Sequence, residues 1–167
     1  IGRSRPDGSR LDFYSGVAHG RRTQASLRLP TMLTIESYTE PRTQTHVIKL
    51  VGEAGMSTVD DLEIALTRLI AGRFPLVFVV MSELTFLSSI GIGALVSFQR
   101  GVARTGGHAI YCGARFAIQS SIAHARLDRF FEMYKSLDEA VAKAIATGRA
   151  ADAESAGSSS LAERITE

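Results

Sequence analysis

Leu76-Val77-Phe78-Val79-Val80-Met81, read together with Leu84-Thr85-Phe86-Leu87-Ser88-Ser89-Ile90-Gly91-Ile92-Gly93-Ala94-Leu95 behind it, decides the fold. The first run holds six apolar residues rich in β-branched types, and so short a run reads as a strand buried on both faces. A segment of helical length follows and ends in charge and Gly106-Gly107. Between strand and helix lie two serines and two glycines, with no large polar side chain. Ser89 is the expected N-cap, its hydroxyl accepting a hydrogen bond from a free amide of the first turn. Gly91 and Gly93 then fall inside that turn, where each costs about 1 kcal/mol relative to alanine. A helix start weakened twice implies that something approaches its backbone closely, either a partner or the sheet itself.

Working outward, Met32 to Ser37 alternates as a first strand, and Pro41 marks a turn. Val47 to Val51 reads as a second strand ended by Gly52. Two overlapping capping boxes follow, Ser57-x-x-Asp60 and Thr58-x-x-Asp61. From there Val59, Leu62, Leu66, Leu69 and Ile70 recur at helical spacing until Gly72. The helix after Ser89 runs to about Arg104, with Ile92, Leu95, Val96 and Val102 on its apolar side. His108 to Cys112 reads as a further strand. Phe116, Ile118, Ile122 and Ala125 mark a short third helix, and Phe130 to Tyr134 a last short strand. Ser136-x-x-Glu139 then caps a final helix carrying Leu137, Ala140, Val141, Ala144 and Ile145. This order predicts an α/β sandwich, with a mixed sheet of four to five strands and about four helices. The short link between the first two strands suits a hairpin, which makes the sheet mixed.

The net charge of +2 conceals an uneven distribution. Residues 1–31 hold six arginines against Asp7 and Asp12, whereas residues 32–148 carry eleven basic and eleven acidic side chains. A basic pI that belongs to one tail is a poor argument for nucleic-acid binding by the folded part. The expected organisation is a disordered basic tail at 1–31, one domain at 32–148 and a flexible C-terminal tail at 149–167. Met32 directly precedes the first patterned segment, so it is a candidate natural start, with the preceding stretch vector-derived or over-extended. The other reading of the same stretch is a basic functional arm. Cys112 is the one cysteine, which excludes an internal disulfide and any multi-thiolate metal site. Its apolar run makes it a small buried thiol. No apolar run approaches the roughly 18–20 residues of a membrane span, and the N-terminus lacks the apolar core of a signal peptide, so the expected location is the cytoplasm.

Chemistry-bearing motifs are missing. Gly52 to Thr58 lacks the Gly-Lys-[Ser/Thr] core of a phosphate-binding loop, and Gly91-Ile92-Gly93 lacks the third glycine of a dinucleotide fingerprint. His19, His46, His108 and His124 are scattered, none with a ligand partner at helical spacing. No enzymatic activity, cofactor or metal is expected.

The strand-turn-helix at Thr85 to Leu95 resembles a STAS domain, the family named from sulphate transporters and anti-sigma factor antagonists. Its signature is an apolar strand, a turn of the form Asp/Ser-Ser-Ser/Thr/Ala-Gly-Leu-Gly/Arg, and a helix. The likeness extends over nearly all of residues 32–148, through Gly52-Glu53, Gly106-Gly107 and the last helix from Ser136 to Ala140. In the bacterial antagonists it implies phosphorylation of one turn serine by a kinase of the histidine-kinase-like ATPase type that is also an anti-sigma factor. Matched residue by residue, that serine is Ser89. The unphosphorylated form binds the kinase and frees the sigma factor, and a serine phosphatase resets the switch. The implied partner surface comprises Ser88, Ser89, Ile90, Gly91, Ile92 and Gly93, with Glu53, Ser57 and Thr58 nearby. Two positions depart from the family: the acidic residue before the phospho-serine is Ser88 here, and a frequent aspartate after the second strand aligns with Gly55. Two rival readings are an accessory subunit of a membrane transporter or lipid-trafficking complex, and a small-ligand or nucleotide-binding protein.

Overall fold

The computed structural model describes residues 32–150. Its order is β1 (Leu33–Glu40), β2 (Thr45–Ala54), α1 (Val59–Ala71), β3 (Leu76–Leu87), α2 (Ser89–Arg104), β4 (His108–Cys112), α3 (Phe116–His124), β5 (Glu132–Tyr134) and α4 (Leu137–Ala146). The five strands form one sheet in the order β1-β2-β3-β4-β5. β1 and β2 form the antiparallel hairpin expected at Pro41, and the other neighbours pair in parallel. The expected α/β sandwich with a mixed sheet and four helices is therefore the observed fold. The expected segment 1–31 and the C-terminal tail beyond Ala150 lie outside the described residues. Arg149, the first residue of that expected tail, pairs with Glu132 at 2.7 Å.

The run at 76–81 is buried on both faces, as its composition predicts. Val77, Val79 and Met81 join Ile48 and Leu50 in the larger core, beneath Leu62 and Leu66 of α1, Leu95 and Phe98 of α2, and Ile118 and Ile122 of α3. Phe78 and Val80 point the other way, with Val47, Ile110 and Cys112, against Ala140, Val141 and Ala144 of α4. Cys112 is buried in this smaller core, and burial pushes its thiol up to about 12.

β1 and β2 each extend past the sequence reading, to Glu40 and back to Thr45, and three further boundaries differ from it. β3 does not stop at Met81 but continues to Leu87, with register shifts against β2 between Lys49 and Val51 and between Gly52 and Glu53. These shifts let polar residues occupy a paired strand: Glu83 ion-pairs with Lys49 across the sheet, and the Thr85 hydroxyl donates to the Gly52 carbonyl at 2.9 Å. Gly52 does not end β2, which runs on to Ala54. It sits inside the strand at φ +101°, opposite Leu33, where a Cβ would lie 2.0 Å from the Met32 carbonyl oxygen. Glycine is thus the marker of a bulge rather than of a strand end. The last strand is Glu132–Tyr134 and does not include Phe130 or Phe131; Phe131 is buried in the larger core instead.

The capping signals divide as well. Ser136 caps α4 as expected, its Oγ accepting from the Glu139 amide at 3.2 Å, while the Glu139 carboxylate accepts from the Lys135 amide at 3.0 Å. Neither Ser57 nor Thr58 caps α1. The Thr58 hydroxyl turns back, donating to the Glu53 carbonyl at 2.7 Å and accepting from the Gly55 amide at 3.0 Å, so it closes the β2–α1 loop. Asp60 and Asp61 in the first turn leave α1 with favourable charge at its amide end.

The hairpin is fastened to α4 through Arg42, which bridges Glu40 and Asp138. Glu40 is buried and accepts from the amides of Arg42 and Thr43, the Thr43 hydroxyl and the Arg42 guanidinium, while the same guanidinium reaches Asp138 at 2.8 Å. Burial pushes the Glu40 pKa up, but these hydrogen bonds outweigh it and hold the carboxyl below its ordinary value. A depressed carboxylate stabilises the fold above its unfolded-state pKa, and that stability is lost as pH falls through the folded-state value. Glu40→Gln should therefore cost about 1–3 kcal/mol in urea unfolding at pH 7. The gap to the parent protein should close as pH falls through the lowered folded-state value of Glu40, whereas a pH-independent gap would refute the assignment.

Candidate functional site

The parallel strands end together at one edge of the sheet, the usual place for function in such folds. There the last residue of β2, Ala54, meets the turn between β3 and α2. The Ala54 carbonyl oxygen accepts from the Ser88 amide at 2.9 Å and from the Ser88 hydroxyl at 2.9 Å. The same Ser88 oxygen accepts from the Gly91 amide at 3.1 Å. Ser88, in an extended conformation, is therefore the N-cap of α2, one residue earlier than the sequence reading placed it. The physical reason is that β3 runs straight to Leu87, so Ser88 is the first residue free to turn its hydroxyl back onto the helix. Ser89 becomes the first helical residue. It is exposed, and among the described residues no hydrogen bond engages its hydroxyl.

The two glycines do different things. A Cβ on Gly91 would lie 2.9 Å from Leu87 Cδ1 and 3.0 Å from the Ala54 carbonyl oxygen. The close approach implied by the sequence is, at Gly91, the sheet. Gly93 faces solvent with nothing within 4 Å of a Cβ. Of the residues expected at the partner surface, Ser89, Ile90, Gly93 and Ser57 are exposed, and Ser88 and Glu53 are partly exposed. Gly91, Ile92 and Thr58 are buried and lie beneath that surface rather than on it.

Two apolar side chains at this edge escaped the sequence reading. Met56, in the loop closed by Thr58, is 79% exposed, and Phe86 of β3 is 50% exposed beside Gly55. A signal for Phe86 was present. Phe86 and Leu87 are adjacent in a strand, so they cannot both point into one core. Together with Ile90, which is 42% exposed, they surround the Ala54–Ser88 junction within a few residues. The ionisable groups on the segments meeting here, Glu53, Asp60 and Asp61, are all acidic.

A mixed sheet with helices on both faces, and a serine presented beside exposed apolar side chains at the start of a helix, define a domain of the α/β class. The chain belongs to the STAS domain family, whose model matches residues 35–140. Among solved structures it is similar to an anti-sigma factor antagonist from Mycobacterium paratuberculosis, at 25% identity and a TM-score of 0.62, over 69% of this chain and 96% of that one. It shares its fold with the Bacillus cell fate determinant SpoIIAA in the phosphorylated form, at 19% identity and a TM-score of 0.51, over 67% of this chain and 98% of that one. It also shares the fold with part of the murine anion transporter Slc26a9, at 18% identity and a TM-score of 0.50, over 60% of this chain and 18% of that one. Among curated proteins, none matches by sequence. No described helix is long and apolar enough to cross a membrane.

The glycine pair gives a direct check on this geometry. Gly93→Ala should stabilise the domain by about 1 kcal/mol, because the position is open and alanine is the better helix former. Gly91→Ala should instead destabilise it by about 1–3 kcal/mol, because the added methyl presses on the Ala54 carbonyl. Urea unfolding of both variants measures the signs. Two stabilising substitutions would mean that α2 does not start against the end of β2.

Proposed function

We propose that this chain is an anti-sigma factor antagonist, a module that holds a protein partner at the Ser89 surface and releases it when Ser89 is phosphorylated. The observation that carries this reading is the division of labour between neighbouring serines. Ser88 spends its hydroxyl on the Ala54 carbonyl and the Gly91 amide, whereas Ser89 is exposed one residue into α2. A phosphate on Ser89 adds about −1.5 to −2 charge beside the free amides of a helix start, so the domain stays folded. What changes is the surface. Met56, Phe86, Ile90 and the bare backbone of Gly93 suit a close apolar contact, and a phosphate beside them opposes docking by bulk and by the cost of desolvating its charge.

The partner in this reading is an anti-sigma factor that is also a serine kinase of the histidine-kinase-like ATPase type, with a serine phosphatase restoring the unmodified state. The chain acts by binding rather than catalysis, in the cytoplasm of a bacterium. Its likeness to the mycobacterial antagonist supports the class, and the SpoIIAA structure in its phosphorylated form is consistent with a modification that this fold tolerates.

Affinity capture from the native cells, with the parent chain, Ser89→Ala and Ser89→Asp as parallel baits, tests the reading. The parent and Ser89→Ala should retain a histidine-kinase-like ATPase. Ser89→Asp should bind it at least about ten-fold more weakly, which is ~1.4 kcal/mol, with an unchanged unfolding midpoint. Equal recovery of membrane-transporter subunits by all three baits would favour the accessory-subunit reading and reduce Ser89 to an ordinary helix residue.

A further inference from the structure

α1 turns one stripe of side chains away from the sheet. Leu62, Leu66 and Leu69 enter the larger core, while Asp60, Glu63, Ile64, Thr67 and Arg68 recur at helical spacing on the outer face and are all exposed. Ile64 lies at the middle of that stripe and is 52% exposed. One exposed isoleucine is ordinary on a protein surface; what distinguishes this one is the charge on either side of it. Asp60 stands four residues before it and Arg68 four residues after it, each about one turn away on the same face.

These two charges cannot meet within their own helix, because eight residues at ~1.5 Å each hold them ~12 Å apart along the axis. Neither has an opposite charge three or four residues away along α1. Among the described residues, no ion pair includes Asp60, Glu63 or Arg68. An acid in the first turn and an arginine in the last suit the helix dipole, which accounts for the charges but not for the isoleucine between them. Beside the stripe the surface is low. A hollow of about 230 Å³ separates α1 from α2, with Thr67 and Ile70 on one wall and Ala94 and Ser97 on the other. Gly93, one turn before Ser97, has nothing within 4 Å of a Cβ. An approaching helix thus finds a ridge at α1 and a groove beside it, the relief that helix packing uses.

We propose that this face binds a second copy of the chain, with the two α1 helices antiparallel about a two-fold axis at Ile64. That symmetry sets each residue before Ile64 opposite the residue equally far after it in the other copy. Ile64 then meets the second copy's Ile64, and Asp60 meets the second copy's Arg68, an ion pair made twice in each dimer. A parallel arrangement would oppose Asp60 to aspartate and Arg68 to arginine, so the charges select the antiparallel one. The contact is self-complementary and closes on itself, so assembly stops at the dimer. It uses no residue of the Ser89 turn and stands whether or not that serine is phosphorylated.

Sedimentation equilibrium of the full chain across the micromolar to millimolar range should show a monomer–dimer equilibrium. It should weaken between about 0.1 M and 1 M salt, as the screening length falls from ~10 Å to ~3 Å. Asp60→Arg alone and Arg68→Asp alone each set like charges face to face twice, and each should weaken the dimer at least about ten-fold. The two substitutions in one chain should restore it, because the exchanged charges match again. A chain that stays monomeric, an assembly that grows past the dimer, or a double variant no tighter than the single ones would overturn the proposal. A crosslinking measurement covers the case in which a charge variant folds poorly. Cys112 is the one cysteine and is buried, so Ile64→Cys introduces a single accessible thiol. Under mild oxidation this variant should form a disulfide-linked dimer roughly ten-fold faster than Ala123→Cys, an exposed position on α3. Equal rates at the two positions would rule the contact out.

Discussion

A single carbonyl oxygen, that of Ala54, determines where α2 begins and what it presents. It accepts both the amide and the hydroxyl of Ser88, and it leaves room at Gly91 for a hydrogen but not for a methyl group. The end of β2, the end of β3 and the first turn of α2 are thereby one rigid junction instead of three loops. That junction rotates Ser89 and Gly93 outward and turns Gly91 and Ile92 inward, so one short sequence supplies both the support and the exposed surface. Thr58 does the corresponding work on the other side, tying the β2–α1 loop to the Glu53 carbonyl. The exposed surface is therefore held from beneath by two hydroxyls, those of Ser88 and Thr58, bonded to backbone carbonyls.

Much of this was legible in the chain because burial leaves a periodic trace. The continuous apolar run of β3, the stripe of α1 and the capping box of α4 each follow from one physical requirement at one position, and each stands where the residues place it. Less legible was whatever depended on two strands at once. The continuation of β3 through Ser82, Glu83 and Thr85 rests on register shifts against β2 and on partners such as Lys49 that are remote in sequence. Gly52 signals a break to a local reading, yet the neighbouring strand's Met32 carbonyl is what demands a glycine there. The same limit applied at the site. Ser88 and Ser89 are equivalent as local capping residues, and only the position of Ala54 separates the anchored hydroxyl from the exposed one.

That separation also accounts for one departure from the family pattern. Aspartate and serine cap helices comparably well by accepting an amide hydrogen bond. Ser88 accepts from Gly91 and also donates to the Ala54 carbonyl, which an ionised carboxylate cannot do. Serine at this position is thus a complete structural solution with a hydrogen in place of a charge. The edge is less negative as a result.

β3 is flanked on both sides and buried in two cores, whereas β1 has a neighbour on one side only. Local stability accordingly falls from the centre of the sheet towards the hairpin edge. Fraying of β1 would release the Glu53 amide from Met32 without disturbing the strands beneath α2. Amide hydrogens near Glu53 should therefore exchange through brief local openings, while those of β3 await global unfolding. The molecule combines a pliable rim with a stiff centre, and the exposed serine stands on the boundary between them.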